Sequence, residues 1–470
     1  FLHLHVDMSP NGGHTSVPPP PEVVRCSYVV PNKGRRCRFP VIAGTERCGA
    51  HREDDDAGPR VPCPLDPNHT VFQNRLKQHL KICTKARDRS VVEKQPFYTP
   101  GINLPSLVSK DAAVATPVSA ADNEVVQSWM ERISIAWPKA VKQVMGDAIS
   151  AEDLLQKSVV LEGTQLAHAE KHDVQNQALA DLILQELRVK AFQMSQVVLV
   201  EYGSGKGGLA NAVLRQLSGL RCVLVEREPR RHKFENKQDK REEQVLRLRV
   251  DIADFDLRQF LSSPLDHKSL PSAAELSGGA LSISSSAEGF LGPAERLEEL
   301  WRVAAAFQAA TIWPPQRLVA CAKHLCGGAT DIALRSLKAA SSTDGKSSAF
   351  TICVATCCHH RCDANSYVNR PFLEQLNLCH SEEDFAQFAS TAGWAVGGAG
   401  ARDLEKRKVG MMAKRILDLG RVQWLRQELQ LEDAALMDYI SKAVTPENIV
   451  ILAGAAKESA ACSAQGLPIG

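Results

Sequence analysis

Apolar residues recur at steps of three and four through QALADLILQELRV (residues 177–189), the spacing of one buried helical face, and similar helical patterning begins near Asn123. From Gln196 onward the rhythm changes. Short apolar runs of strand length, VVLVE (197–201), RCVLVE (221–226), VLRLRVD (245–251), RLVACAKHL (317–325) and AFTICVATCC (349–358), alternate with helical stretches. That alternation predicts an α/β domain with a mainly parallel sheet. Elsewhere the pattern lapses. Residues 1–22, ending in VPPPPE, read as an irregular tail, and 89–120, rich in Pro, Ser and Ala without a sustained period, read as a linker. The Ser/Gly/Ala/Pro-rich stretch 263–293 reads as a disordered insertion in a large domain spanning 121–460.

Composition narrows the class. A chain of 470 residues can hold two or three domains, and no run of eighteen apolar residues is present, so no membrane partner is expected. Net charge is only +2, yet Arg25–Arg89 carries 14 Lys or Arg against 7 Asp or Glu. A small basic module beside a neutral large one suggests an arm facing nucleic acid. The first residue is Phe1 rather than Met, so the sequence leaves the true N-terminus open. Fourteen cysteines without a secretory signal point to metal ligation and buried thiols in a reducing, intracellular compartment, nucleus and/or cytoplasm.

Two segments concentrate metal-ligand chemistry. In 23–55, Cys26, Cys37, Cys48 and His51 stand at C-x10-C-x10-C-x2-H, a soft tetrahedral set suited to zinc. In 60–88, Cys63, His69, His79 and Cys83 stand at C-x5-H-x9-H-x3-C; VFQNRLKQHLKIC (71–83) should be helical, placing His79 and Cys83 on one face. Neither segment can bury a useful core, so zinc, two ions in all, would supply the missing folding free energy. Arg35, Arg36, Arg38, Arg75, Lys77, Lys81 and Lys85 could neutralise phosphates, although a charge run is commonly just a solvated face.

VVLVEYGSGKGGLANAVLRQL places a strand, a glycine-rich turn and a helix in succession. Gly203, Gly205 and Gly207 fit G-x-G-x-G, and Gly203, Gly205 and Gly208 fit G-x-G-x-x-G, so the glycines alone leave a dinucleotide and S-adenosylmethionine both open. Three acids decide between them. Glu201 ends the first strand, where a carboxylate suits a sulfonium and repels a pyrophosphate; Glu226 ends the second and suits ribose hydroxyls; Asp251, with Asp254 nearby, ends the third and suits adenine. This is the pattern of a class I, Rossmann-like S-adenosylmethionine-dependent methyltransferase domain.

The two clusters, EYGSGKGG (201–208), LVACAKHLCGGATDIAL (318–334), ATCCHHRC (355–362) and EKRKVGMMAKRILDLGRVQWL (405–425) together give a specific resemblance. Over roughly 25–90 and 120–455 the chain resembles the tRNA 2′-O-ribose methyltransferase family that modifies position four of the acceptor stem, in which a three-Cys-one-His finger and a CHHC finger precede a class I domain. The Ser-rich insertion departs from that pattern. The resemblance implies tRNA as substrate and S-adenosylmethionine as methyl donor, with no DNA partner expected; oligomeric state is left open.

A ribose hydroxyl must align behind the methyl carbon and lose its proton, to a neutral imidazole or to a lysine of depressed pKa. Lys323 and His324 end the fourth strand, and His359 and His360 follow the fifth; His324 and His359 are the foremost candidates. No Lys-Asp-Lys-Glu tetrad is evident. Within CVATCCHHRC (353–362) a third metal site is disfavoured, because Cys357 and Cys358, adjacent on a strand, should face opposite ways. His380 and Cys379 read as structural. Two rivals remain: a 5-methylcytosine RNA methyltransferase using the Thr356-Cys357 thiol, although no Pro-Cys pair follows the fourth strand, and a noncatalytic zinc-finger RNA-binding or splicing factor.

Overall fold

The computed structural model describes residues 24–30, 35–49, 51, 58–105, 123–156, 168–189, 193–217, 219–230, 233–234, 244–262, 293–311, 313–341, 350–395 and 403–454. The expected tail 1–22 and nearly all of the expected insertion lie outside these residues. The chain divides into two compact units, Phe1–Arg89 and Ser90–Gly470.

In the first unit, β1 (Val29–Val30) and β2 (Arg35–Arg36) form an antiparallel hairpin, as do β3 (Arg60–Cys63) and β4 (Asp66–Phe72). Helix α1 (Leu76–Ile82) follows a single 3₁₀ turn. The predicted helix therefore starts later than the sequence suggested. Val71 and Phe72 pair with Val61 and Arg60 in the hairpin, and the Arg60 guanidinium lies 4.4 Å over the buried Phe72 ring. Around Cys26, Cys37 and Cys48 the buried apolar set consists of those three cysteines, with Tyr28 packed against them.

Helix α2 (Thr84–Glu93) is followed in the second unit by α3 (Asn123–Met145), α4 (Ala151–Gln156) and α5 (His168–Val189). Then come β5 (Val197–Tyr202), α6 (Gly208–Gln216), β6 (Arg221–Val225), β7 (Val245–Leu248), α7 (Leu257–Ser262), α8 (Pro293–Ala309), β8 (Arg317–Ala322), α9 (Ala329–Ser341) and β9 (Phe350–Ala355). Two helices, α10 (Arg370–Gln375) and α11 (Glu382–Thr391), precede the long α12 (Leu404–Glu428), and β10 (Ala435–Asp438) and β11 (Ile449–Ala453) finish the described chain.

The sheet runs β10-β11-β9-β8-β5-β6-β7. From β7 to β9 all pairs are parallel, whereas β11 is antiparallel to both its neighbours. Every residue of β5, β8 and β9 is buried, as a parallel sheet covered on both faces requires. The two-residue period sends Val198, Val200 and Tyr202 into one core with Ile133 and Trp137 of α3 and Ile416 of α12. Val197 and Leu199 enter the other, with Leu179 and Ile183 of α5 and Val213 of α6. From β5 the chain moves to β6 on one side, then crosses back to β8 on the other. At such a switch point the carboxyl ends of the strands open a crevice.

The linker expectation fails for residues 95–105. Phe97 is fully buried, edge-on to Phe255 and Phe260, and Tyr98 bridges Phe255. The Asn103 amide donates to the Ile252 and Phe255 carbonyls at 2.7 and 2.9 Å. Irregular backbone carries no periodicity, so one buried and one half-buried aromatic among prolines and serines leave no pattern to read. Residues 106–120 of the expected linker lie outside the described residues.

Candidate active site and metal clusters

Gly203, Gly205 and Gly207 all have positive φ, and they turn the chain from β5 into α6. Gly207 is sterically required: a Cβ there would lie 2.5 Å from the Phe234 ring. Its amide closes the turn on the Ser204 carbonyl at 2.7 Å. Arg247 props the loop by donating to Ser204 Oγ and the Gly205 carbonyl at 3.1 and 3.0 Å.

Beneath this turn lies a cavity of about 790 Å³ lined by Glu201, Gly203, Gly205, Glu226, Asp251, Lys323 and His324 among others, a volume suited to a cofactor. All three strand-end acids thus meet at one site. Glu201 accepts the Ala210 amide at 3.0 Å, in the first turn of α6, where the helix dipole favours its charge. Glu226 accepts the Gly205 and Glu228 amides at 2.8 and 3.0 Å and pairs with Arg230 at 3.3 Å. Asp251 accepts the Ala253 amide at 3.0 Å and pairs with Arg227 at 3.4 Å. Gly207 and Asp254 are not on the cavity wall. The first packs against Phe234, and the second accepts the Gly101 amide at 2.8 Å, tying down the segment that read as linker.

At the end of β8, Lys323 is buried and its Nζ donates to the His172 carbonyl and Asn176 Oδ1 at 2.9 and 2.8 Å. Burial pushes its pKa down to about 8 against the pull of Glu201 and Asp173. His324 is exposed on the same wall, edge-on to His172 at 5.2 Å. Sequence reading missed His172 and Asn176. They lie four apart on α5, on the face that Leu179 and Ile183 bury further along, and two polar residues at the start of an apolar stripe give no local sign of a cavity.

The fifth-strand histidines are elsewhere. His359 is fully buried off the cavity, and its Nε2–H donates to Asp418 Oδ1 at 2.7 Å, while burial lowers its pKa against the pull of Asp418. It cannot reach a substrate in the cavity, so its place among the candidate bases is withdrawn. Its neighbour His360 is exposed and also off the wall. Asp418 further accepts from Arg415 at 2.6 Å, Thr356 at 3.1 Å and Arg421 at 3.2 Å. Arg421 reaches on to both oxygens of Asp331 at 3.1 and 2.7 Å. This buried network joins α12 to the loop after β9 and to α9.

The first unit assembles both predicted ligand sets. Each set's four ligand atoms lie within 4.8 Å of one another. His51 presents Nδ1 to Cys26 and Cys48 at 3.6 and 3.4 Å, its ring stacked on Tyr28. His69 and His79 present Nε2, 3.1 Å apart, and Asp66 lies 3.4 Å from His69 Nδ1, a carboxylate placed to orient the ring. Both sets fit the soft tetrahedral ion their chemistry selects.

Cys326, Cys357 and Cys358 form a third such group, contrary to the opposite-faces argument. That argument needs a strand, but β9 ends at Ala355 and Cys358 is left-handed, with φ 47°. The Cys326 and Cys357 sulfurs lie 3.7 Å apart, close enough for one thiol to donate to the other. Off the cavity wall, Cys357 is badly placed to attack a pyrimidine bound there.

Comparison with known proteins follows the same division. Residues 175–281 and 305–454 match the family Methyltransferase TRM13. Residues 24–52 match the CCCH zinc finger in TRM13 protein, and 60–84 match the U11-48K-like CHHC zinc finger. The tRNA:m(4)X modification enzyme TRM13 of Eremothecium gossypii is 28% identical, with 94% of this chain and 97% of that protein aligned. The Saccharomyces cerevisiae enzyme of the same name is 25% identical, covering 94% and 98%. The homolog from Homo sapiens is 24% identical, covering 91% and 94%. With two zinc fingers and the large α/β domain matched in order, this chain belongs to the TRM13 methyltransferase family.

Proposed function

We propose that the chain transfers a methyl group from S-adenosylmethionine to the ribose 2′-oxygen of nucleotide four in a tRNA acceptor stem. The observation that carries this reading is the convergence of Glu201, Glu226, Asp251 and Lys323 on one cavity below a glycine turn. The names of the relatives, tRNA:m(4)X modification enzymes, support the tRNA and the position. S-adenosylmethionine supplies a methyl group on a cationic sulfur. Glu201 offers a negative charge to that end, Glu226 an acceptor for ribose hydroxyls, and Asp251 a contact for the adenine side.

Lys323 is the better base on geometry. In the neutral amine both hydrogens are taken, by the His172 carbonyl and by Asn176 Oδ1, so the lone pair remains to accept a proton. The 2′-hydroxyl would give its proton to Nζ as the O–CH₃ bond replaces the S–CH₃ bond, whose electron pair would stay on sulfur as a neutral thioether. His324 stands on the same wall as the alternative acceptor. A ribose hydroxyl on a stem is reachable across the shallow minor groove without extracting the base.

The test is to incubate the protein with tritiated S-adenosylmethionine and total tRNA, digest the RNA and identify the labelled nucleoside. Label on a ribose 2′-oxygen at position four is expected. Label on a pyrimidine carbon would replace the oxygen nucleophile with a thiol, and no label would leave a binding protein.

A further inference from the structure

We propose that Cys326, Cys357 and Cys358 bind a third metal ion, zinc by ligand chemistry, on the wall of the cavity, independently of which atom the enzyme methylates. Three half-buried thiols from two different loops have their Sγ atoms within 4.8 Å of one another. The closest pair, Cys326 and Cys357, is 3.7 Å apart. A Zn–S bond of about 2.3 Å in tetrahedral geometry places two sulfurs about 3.8 Å apart. The two zinc fingers provide an internal standard, since Cys37 and Cys48 lie 3.9 Å apart and Cys63 and Cys83 4.0 Å. The third group has the spacing of a ligand set rather than of a disulfide, whose sulfurs approach to about 2.05 Å.

The backbone is arranged around the same point. Cys358 is left-handed, a conformation a residue with a Cβ rarely adopts, and the turn leaves its sulfur beside that of Cys357. Across from it, Gly327 has φ +63°, and a Cβ there would lie 2.3 Å from the Arg361 carbonyl oxygen. The loops after β8 and after β9 are therefore packed backbone to backbone on either side of the thiols. An ion here would staple the two strand ends. Cys326 and Arg361 line the cavity, so the ion would stand on its wall with three protein ligands and a fourth position for water or another oxygen. Three thiolates leave a zinc site with net negative charge, which the Arg361 guanidinium would offset.

Metal content decides the matter. The full-length protein, purified under reducing conditions without chelator, is expected to carry three zinc ions per chain by mass spectrometry of the metal, and a Cys357→Ser/Cys358→Ser variant two. The milder Cys326→Ser variant is expected to lose the same ion, with far-UV circular dichroism reporting an intact fold. A Cys63→Ser/Cys83→Ser variant should lose a different one, so the losses can be counted cluster by cluster. Two ions in the wild-type protein, or three retained in both variants of the third group, would overturn the proposal. So would a Cys326–Cys357 disulfide in anaerobically handled protein.

Discussion

Around His69 and His79 the first unit gathers four ligand atoms within 4.8 Å, whereas around Asp418 the second gathers four donors onto one carboxylate inside a large apolar core. Both are polar clusters that hold chain segments together. They differ in what surrounds them. The finger has almost no apolar surface to bury, so its ligands are its core, and removing the ion removes the fold. The Asp418 network sits where the sheet and helices already exclude water. Its charges contribute chiefly by fixing α12 against the β9 loop, and they become costly only when one partner is lost.

The largest test of this contrast is Cys83→Ala. Apparent zinc binding in such fingers is worth about 10–16 kcal/mol at neutral pH, so residues 60–83 should lose all protection from hydrogen exchange. Strands β5, β8 and β9 should keep theirs. Protection surviving in the finger would mean that its hairpin and helix fold without metal, and the contrast would fail.

Next in size is Asp418→Ala, which leaves Arg415 and Arg421 buried beside an empty corner. Loss of one member of a buried charge cluster costs about 3–5 kcal/mol. The midpoint of urea unfolding should fall accordingly, while finger protection is unchanged. A cost below about 1 kcal/mol would show that the cluster is hydrated in solution and comparable with a surface pair.

The donor site gives a kinetic version of the same comparison. If Lys323 is the base, it acts only when neutral, and its pKa of about 8 means that activity should rise with pH and level off above that value. Lys323→Ala should lower single-turnover methyl transfer by about 10²–10⁴-fold, the usual contribution of a general base, and abolish the rising limb. A variant with a large loss but an unchanged pH profile would reassign Lys323 to positioning and bring forward His324.

Different parts of this arrangement were legible for different reasons. Ligand spacing and strand-end acids are local patterns, so all eight finger ligands and Glu201, Glu226 and Asp251 were readable one position at a time. The parallel sheet announced itself through apolar runs. What escaped depends on partners distant in sequence. His359 sits beside a plausible motif, yet its role is set by Asp418 on α12, 59 residues away. Lys323 gains its acceptors from α5, about 150 positions earlier, and its depressed pKa from burial in the assembled fold. The convergence of Cys357 with Cys358 turns on a single left-handed residue just past a strand end, which a two-residue period cannot anticipate.

The smallest effect concerns the outside of the fingers. Arg35, Arg36, Lys77 and Lys81 are all exposed, and none of them is needed to hold a ligand in place. If they neutralise tRNA phosphates, replacing each with Gln should weaken binding modestly and lower the slope of log affinity against log salt by about one per lost contact. Zinc content and S-adenosylmethionine affinity should not change, because neither cluster nor cavity involves these side chains. An unaltered slope would make them a solvated face. The exposed Arg38 and Arg75, or the exposed Phe39, would then be left to carry tRNA binding by this unit, the first two through phosphates and the last through base stacking.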